Sequence, residues 1–372
     1  MIPFVDLTKQ NAGLEHRFVE VLRTAIATSA FAGGQNVERF ESAFSAYCSV
    51  EHSVALSNGT DALRLALLAA GLGPGDEVVT PANGFFATVE AILQTGATVR
   101  FCEIDLATGL ADAECFERAI TDRTRALVPV HLYGQMSAID EISALSEQRG
   151  LILIEDAAQA HGATFRGRPA GSFGHAGCFS FYPTKNLGAL GEGGAVVTRD
   201  ADLAERVAIL RDHGQATKYR HETVGFNARM DAIQAGFLEA KLEMLNTWND
   251  ARRRAAESYR ELLSVSPDIT LLNEVGGSKG VYHLFVIRHT ARHSLREGLR
   301  RVGIGTGVHY PIPLHRQPAL AYLGPQPDLP LAEEFCATIL SLPMYPGLQP
   351  SQVETVSNEV LSLSEAQIDA HR

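Results

Sequence analysis

The chain has 372 residues, 45% hydrophobic and 20% charged, with a formal net charge of -11 at pH 7, so we expect two domains around a large core. The negative charge excludes a general nucleic-acid binder, which neutralises phosphates with Lys and Arg, and no apolar run is long enough for a membrane span. No secretory signal pattern opens the chain, and its five cysteines are scattered without zinc spacing, so we expect a cytoplasmic protein with no metal site.

The first fifty residues predict two helices. One apolar face contains Phe18, Leu22, Ala25 and Ile26, and after a Gly-Gly break a second contains Phe40, Phe44 and Tyr47. From Ser53 onward, strands and helices alternate, which is typical of α/β folds.

The strands of this part are short and mostly apolar. We predict them at 54–57, 77–80, 98–104, 125–130 and 151–155, with helices at 112–119 and 137–149. The last two strands are apolar throughout, as expected for strands covered on both faces. Ligands of open parallel sheets bind beyond the carboxyl ends of the strands, so the residues that follow each strand are the candidates for a site.

The turn at 58–61, Asn-Gly-Thr-Asp, joins the first of these strands to a helix. The free N–H groups of such a turn can bind a phosphate, but the alternative is an ordinary helix cap by Asn58 or Thr60. Phe85 and Phe86 lie just past the end of the next strand, at the start of a helix predicted to begin near Asn83. One of these phenylalanines is expected in the core and the other over a planar ligand.

Asp156 comes directly after a buried strand, where an unpaired carboxylate is costly and needs a cation or strong donors. Gln159 shares its face if a helical turn begins here. We expect His161 to have a core or supporting role rather than a catalytic one.

Residues 178–194, Cys-Phe-Ser-Phe-Tyr-Pro-Thr-Lys followed by a Gly-rich bend, place Lys185 at the end of a strand that Pro183 terminates. This lysine is either a solvated turn residue or a desolvated amine. Desolvation lowers the pKa of the amine and supplies the neutral nucleophile that Schiff-base chemistry requires. The Gly-rich bend precedes a strand and not a helix, which excludes a dinucleotide fingerprint.

Two later segments are candidates for contacting a substrate. The polar segment 211–230 is rich in basic residues, including Lys218, Arg220 and Arg229, and is either a phosphate-binding loop or a solvated one. The Pro-rich segment 303–319 cannot be regular, and we expect His309, Tyr310 and His315 to border a cleft. Between the two segments, a single long helix is predicted to carry one apolar stripe, formed by Ile233, Phe237, Ala240, Met244 and Trp248. A strand is predicted at 281–288.

Pyridoxal phosphate accounts for several of these features at once. It needs an amine for its Schiff base, a carboxylate that keeps its ring nitrogen protonated, donors for its phosphate and a flat apolar surface for its ring. Four features at predicted strand ends meet these needs in turn: Lys185, Asp156, the Gly59-Thr60 turn with Ser180, and Phe85.

The sequence resembles the DegT/DnrJ/EryC1/StrS family of sugar-nucleotide aminotransferases. The matching segments cover nearly the whole chain: 57–63, 75–88, 129–135, 154–163, 179–194, 225–235, 309–319 and 341–346. This resemblance implies the aspartate-aminotransferase fold (fold type I, α/β), with a large domain built on a mostly parallel seven-stranded sheet and a small C-terminal α/β domain. We place these domains at 1–250 and 251–372. It also implies a homodimer with shared active sites.

The resemblance assigns roles to individual positions. Lys185 is the Schiff-base lysine, Asp156 pairs with the pyridine nitrogen, Gln159 contacts the ring hydroxyl and Phe85 stacks on the ring. Gly59, Thr60 and Ser180 bind the phosphate, which Asn227 reaches from the partner subunit. The remaining predicted contacts, to substrate, are Lys218, Tyr219, Arg229, His309 and Tyr310.

The implied reaction transfers an amino group from L-glutamate to a nucleotide-linked keto-sugar carrying dTDP or UDP. Position C3 of the sugar is favoured and C4 is the alternative. Two rivals belong to other classes. A sugar 3-dehydratase of the same fold has histidine where this chain has Lys185, and a non-catalytic sensor would bind the cofactor or sugar nucleotide without turnover.

Overall fold

The structure, a computed structural model, describes residues 1–371 and the side chains of residues 1–365. In chain order the strands are β1 His52–Leu56, β2 Glu77–Pro81, β3 Thr98–Cys102, β4 Thr124–Leu127, β5 Ile152–Asp156, β6 Thr164–Phe165, β7 Arg168–Pro169, β8 Ala176–Ser180, β9 Gly194–Thr198, β10 Gln215–Thr217, β11 Arg220–His221, β12 Thr270–Leu271, β13 Ser278–Lys279, β14 Phe285–Arg288 and β15 Ile339–Leu342.

The helices alternate with these strands through most of the chain. They are α1 Leu7–Asn11, α2 Glu15–Thr28, α3 Gln35–Tyr47, α4 Gly59–Ala69, α5 Phe86–Gln94, α6 Ala113–Ala119, α7 Ile139–Arg149, α8 Ala201–Arg211, α9 Ala232–Leu242, α10 Leu245–Leu263, α11 Arg292–Arg301, α12 Pro330–Thr338 and α13 Pro350–His371. Across residues 1–371, none of the helices has both the length and the apolar character that a bilayer crossing requires.

Seven strands form the central sheet, in the order β1-β9-β8-β5-β4-β2-β3. The pairings from β8 to β3 are parallel, and β9 runs antiparallel to both of its neighbours. The mostly parallel seven-stranded sheet predicted from the family resemblance is therefore confirmed. Because β9 alone is reversed, the carboxyl ends of β1, β2, β4, β5 and β8 all lie along one edge.

Helices cover both faces of this sheet, since successive residues of each strand point to opposite sides. In β8, Cys178 packs with α4, α5 and α8 on one face. Its neighbour Phe179 packs with α3, α7 and α9 on the other. In β5, Ile154 and Leu153 divide in the same way. The sheet is thus buried on both sides, and its strand-end edge is left for the site.

The predicted long helix through Trp248 is wrong, because the chain breaks it at residues 243–244 into α9 and α10. The stripe survives only in part. Phe237, Ala240 and Trp248 pack in one cluster against the N-terminal helix α2, but Met244 is 36% exposed. The break turns Trp248 toward that cluster and sends α10 to the C-terminal part of the chain.

A smaller antiparallel sheet, β12-β14-β15, packs against α10, α11 and α13 around its own core. This is the small C-terminal α/β unit that the resemblance predicted. The domain boundary at residue 250 stays a prediction, because α10 runs through that position. Residue 372, the predicted end of the second domain, lies outside the described residues. The strand predicted over 281–288 is shorter than expected and begins at Phe285.

The N-terminal segment closes onto this C-terminal unit. Ile2 pairs in parallel with Ile304, and its N–H donates to the Gly303 carbonyl at 2.9 Å. Two residues on, the ring of Phe4 stacks on the ring of His309 with centroids 5.4 Å apart. Residues from opposite ends of the sequence therefore form one wall beside the strand-end edge.

Candidate active site

A cavity of about 930 Å³ opens at the strand-end edge of the central sheet. Nine residues that the sequence predicted for the site line it: Gly59, Thr60, Phe85, Asp156, Gln159, Ser180, Lys185, His309 and Tyr310. They come from segments that follow β1, β2, β5 and β8, and from the irregular segment after α11. The topology therefore brings these dispersed residues together, although the role of each stays a prediction.

Lys185 lies in the turn that follows β8, where its N–H donates to the Tyr182 carbonyl at 2.9 Å. Its neighbour Asn186 is buried and donates to Asn249 at 2.8 Å and to the Val281 carbonyl at 2.9 Å, which fixes this turn to α10 and to the C-terminal unit. Burial lowers the pKa of the Lys185 amine to about 8, because loss of hydration outweighs the attraction of the Asp156 carboxylate. Roughly a fifth of this amine is therefore neutral near pH 7.4, far more than for an exposed lysine.

Asp156, the last residue of β5, is 6% exposed. Both of its carboxylate oxygens accept hydrogen bonds, Oδ2 from the Thr88 hydroxyl at 2.7 Å and Oδ1 from the Ala158 N–H at 3.1 Å. These donors stabilise the charged form of a carboxylate that has little access to water. A buried anion facing a cavity is suited to hold a protonated ring nitrogen.

The N-terminus of α4 forms an anion cradle. The Asn58 side chain caps the helix by accepting from the Asp61 N–H at 2.8 Å, which leaves the first helical amides, of Gly59 and Thr60, without helical partners. Ser180 lies directly opposite, since a Cβ placed on Gly59 would come within 2.5 Å of the Ser180 Cβ. Amides at a helix start and a facing hydroxyl fit a phosphate. The two interpretations of this turn, a helix cap and a phosphate site, are thus compatible, because Asn58 caps the helix while the cradle stays open.

The three groups together fit pyridoxal phosphate: an amine of depressed pKa, a hydrogen-bonded buried carboxylate and a phosphate cradle that glycine keeps free of a side chain. A sequence model of the DegT/DnrJ/EryC1/StrS aminotransferase family matches residues 13–361. The chain belongs to this family. The recognition made from the sequence motifs is confirmed.

Known members of the DegT/DnrJ/EryC1/StrS family resemble this chain over nearly its full length. A protein of Geobacillus stearothermophilus named "pleiotropic regulatory protein" is 42% identical over 96% of this chain and 97% of its own. The dTDP-3-amino-3,4,6-trideoxy-alpha-D-glucose transaminase of Streptomyces venezuelae is 42% identical over 98% of this chain and 96% of its own. The crystal structure of S. venezuelae DesV in complex with a ketimine intermediate superposes with a TM-score of 0.95, at 42% identity and 98% coverage of both chains.

Phe85 forms an aromatic wall of the cavity; it precedes α5 and is 56% exposed. Its ring lies 5.4 Å from that of Tyr310. Phe86 instead packs against the core, so the two phenylalanines divide as the sequence suggested. Gln159 is held by the Tyr133 N–H, which donates to its Oε1 at 2.7 Å, and its amide reaches the Tyr310 hydroxyl at 3.4 Å.

Four of the predicted residues lie outside the cavity of their own chain. Lys218 and Tyr219 form the tip of the β10-β11 hairpin, and Tyr219 is 82% exposed. Arg229 forms an ion pair with Asp212, and Asn227 is exposed beside it. These residues cannot serve the site of their own subunit, so any role in a family site requires a second subunit.

The two further histidines named from the sequence lie in the core of this family member. His161 packs against Phe179 and Phe181, and burial lowers its pKa to about 3, so it is neutral and does not support Asp156. His315 is 3% exposed and contacts Glu333 at 3.0 Å, so it does not border the cleft as expected.

Sequence reasoning missed other residues that line or support the cavity. Thr88 bonds Asp156 from 68 residues away, and His283, Glu192 and Arg64 line the cavity. The pattern of 281–288 predicts a strand, which gives no signal that His283 borders a site. Thr88 had a signal, since it lies one helical turn after Phe85 in a motif already used for the family match.

Replacing Gly59 with alanine is expected to weaken phosphate binding. The added methyl group would overlap Ser180 at 2.5 Å and block the cradle. The affinity of the protein for pyridoxal phosphate, measured by fluorescence titration, should fall roughly 10-fold or more, as expected when one charge-assisted hydrogen bond is lost. Gly73→Ala is the matched control, because its nearest atom would lie 3.9 Å away. Equal affinities for the two variants would remove Gly59 from the cradle.

Proposed function

We propose that the protein transfers the amino group of L-glutamate to C3 of a nucleotide-linked keto-deoxysugar, with pyridoxal 5′-phosphate as cofactor and 2-oxoglutarate as the second product. The observation that carries this proposal is the shared cavity of Lys185 and Asp156. Its volume of about 930 Å³ lies at the upper end of the range of about 300–1,000 Å³ that is typical of ligand pockets, so it is large enough for a bound cofactor. The S. venezuelae transaminase, whose name places the amino group at C3 of a dTDP-sugar, supports the position.

Each residue has a distinct task in this reaction. Gly59, Thr60 and Ser180 would hold the phosphate of the cofactor, Phe85 would cover its ring and Asp156 would hold its ring nitrogen. When bound, the cofactor supplies a carbonyl that takes up amines and a ring that accepts the electron pair left by proton loss.

Lys185 moves the protons in both halves of the reaction. The neutral Lys185 Nζ would remove the proton from Cα of glutamate and pass it to the cofactor, and in the second half it would take a proton back from the cofactor and deliver it to C3 of the sugar. A pKa of about 8 suits both tasks, because a general base works best when its pKa is near the working pH. Asp156, which accepts hydrogen bonds from Thr88 and Ala158, would provide the fixed negative charge that pairs with the ring nitrogen of the cofactor.

The position and the nucleotide can be decided by one experiment. The holoenzyme is incubated with L-glutamate and a panel of 3-keto and 4-keto sugars carrying dTDP or UDP, and the amino-sugar is identified by mass. We expect product from 3-keto sugars, and none with Lys185→Ala. Product from 4-keto sugars alone would move the reaction to C4.

The same panel tests the rivals of other classes. The presence of Lys185 argues against a sugar 3-dehydratase. Release of a dehydrated sugar instead of an amino-sugar would favour the dehydratase. The name of the G. stearothermophilus relative is compatible with a sensor. Glutamate-dependent conversion of the bound cofactor to its pyridoxamine form, followed by absorption, is expected of the enzyme and would be missing in a sensor.

We also propose that the protein is a homodimer with shared sites. The lining of the cavity has four carboxylates, Asp61, Glu90, Asp156 and Glu192, against the cations Arg64 and Lys185, and Arg64 is already paired with Asp61. A nucleotide diphosphate needs further cations, and the outward hairpin with Lys218 and Arg220 would supply them from a second subunit.

The surface of helix α2 supports a dimer as well. Its predicted apolar stripe is only half covered, since Leu22 is 39% and Ile26 is 68% exposed whereas Phe18 and Ala25 are buried. A second subunit would cover the remaining half.

The five cysteines are free, which is compatible with the reducing cytoplasm in which we place the protein.

Two inactive variants are expected to complement each other if sites are shared. Lys185→Ala and Asn227→Asp are each inactive, the second because its carboxylate would face the phosphate in the partner's site. When they are mixed and refolded together, half of the dimers are hybrids with one intact site, so activity should return to about a quarter of wild type. Each variant refolded alone is the control. A mixture with no more activity than its components would place both residues in one subunit's site.

A further inference from the structure

Thr88 lies beneath the cavity, and the proposed reaction has so far given it no task of its own. It is 1% exposed, and its hydroxyl donates to Asp156 Oδ2 at 2.7 Å. The two residues are 68 positions apart in the sequence, so the contact exists only because α5 and β5 meet at the same edge of the sheet.

The direction of this hydrogen bond follows from the chemistry of its two partners. An ionised carboxylate can only accept, and a hydroxyl has a single proton to give. The hydroxyl of a threonine inside a helix commonly donates that proton to the carbonyl three or four residues earlier. Thr88 is the third residue of α5, and its proton is committed to Asp156 instead.

The start of α5 also places the aromatic wall. Phe85 precedes the helix and faces the cavity, and Thr88 follows three residues later on the same face. Ala87, between them, lines the cavity as well. One helical turn therefore sets the position of the surface proposed for the cofactor ring and that of the carboxylate proposed for its nitrogen.

We propose that Thr88 is a positioning residue for Asp156. Its hydroxyl holds the carboxylate in the one orientation that aims the free lone pairs at the cavity. Without the hydroxyl, Oδ2 would lose its donor and the carboxylate would be free to rotate. The inference rests on the proposed pairing of Asp156 with the ring nitrogen of the cofactor.

The test compares three holoenzyme variants with the wild type. Thr88→Val removes the hydroxyl at nearly constant volume, and Thr88→Ser keeps it. Thr80→Val is the matched control, because Thr80 is equally buried in the neighbouring strand β2 but bonds the Val128 carbonyl at 3.0 Å. Each protein is measured by the absorption spectrum of its resting cofactor and by the single-turnover rate and KM with L-glutamate.

Thr88→Val is expected to lower the single-turnover rate roughly 10- to 100-fold, which corresponds to the loss of one hydrogen bond to a charged group, and to leave KM unchanged. Its absorption band should differ from that of the wild type. Thr88→Ser and Thr80→Val should match the wild type in rate and spectrum. Should Thr88→Val not fold, Thr88→Cys replaces it, because its weak donor should give an intermediate loss with the same unchanged KM.

Two results would overturn the assignment. If Thr88→Val has the wild-type rate and spectrum, the hydroxyl does not act on Asp156. If Thr88→Ser loses as much as Thr88→Val, the methyl group matters through packing and the hydroxyl does not. Failure of the proposed function looks different, because the wild type itself would then show no change on addition of glutamate.

Discussion

Replacement of Lys185 by alanine is expected to abolish amino transfer and the covalent capture of the cofactor. The wild-type protein treated with pyridoxal phosphate and borohydride should gain one stable adduct, located at Lys185 by peptide mass mapping. The variant should gain none at this position and should show no turnover above background. The reason is chemical, because Lys185 is the only lysine among the described residues that line the cavity.

Lys241 provides the control for that experiment. Burial lowers its pKa to about 8, the same value as for Lys185, but it lies in α9 beside Trp248 and outside the cavity. Lys241→Met should therefore retain both the adduct and the activity. An adduct that disappears in Lys241→Met and persists in Lys185→Ala would show that Lys241 is the reactive lysine and would refute the assignment.

Replacement of Asp156 by asparagine should lower kcat for the glutamate half-reaction roughly 100- to 1000-fold, the size of effect seen when one preorganised electrostatic contact to a reacting system is removed. Asparagine keeps the shape but removes the negative charge that, in the proposed function, pairs with the protonated ring nitrogen. Stopped-flow absorption measures the rate. The cofactor should remain attached, because Lys185 and the phosphate cradle are unchanged.

Asp112→Asn is the matched control for this charge removal. Asp112 caps α6 by accepting from the Cys115 N–H at 2.8 Å and is not among the residues that line the cavity, and asparagine caps helices equally well. We expect wild-type rates from it. A loss of less than tenfold in Asp156→Asn would mean that the carboxylate does not control the chemistry.

The positions of the candidate site residues were predictable because parallel strands place their ends together. Lys185, Asp156 and Phe85 are dispersed over a hundred residues, yet each lies at or after the end of a strand, and a sheet of this type collects such residues along one edge. The apolar pattern predicted the strands, and the resemblance to one family implied a mostly parallel sheet. Neither required knowledge of any contact.

Other features depended on contacts that no local pattern records. The break between α9 and α10 falls at Glu243 and Met244, both good helix formers, so nothing in the segment signals it. The apolar run at 281–284 looks like strand, but the backbone of Val281 is taken by Gly134 and Asn186 instead of a neighbouring strand. In both cases packing between distant segments overrides the local preference.

The wall that joins Ile2 and Phe4 to Ile304 and His309 also constrains when the protein can mature. During translation, about 300 residues separate the two halves of that wall, which at typical elongation rates is a delay of roughly 15 to 60 s. Until Ile304 and His309 have been synthesised, Ile2 and Phe4 have no partner, and the cavity beside them is incomplete. Vitamin B6 loading should accordingly be a post-translational event, detectable as cofactor incorporation into released chains and not into nascent ones.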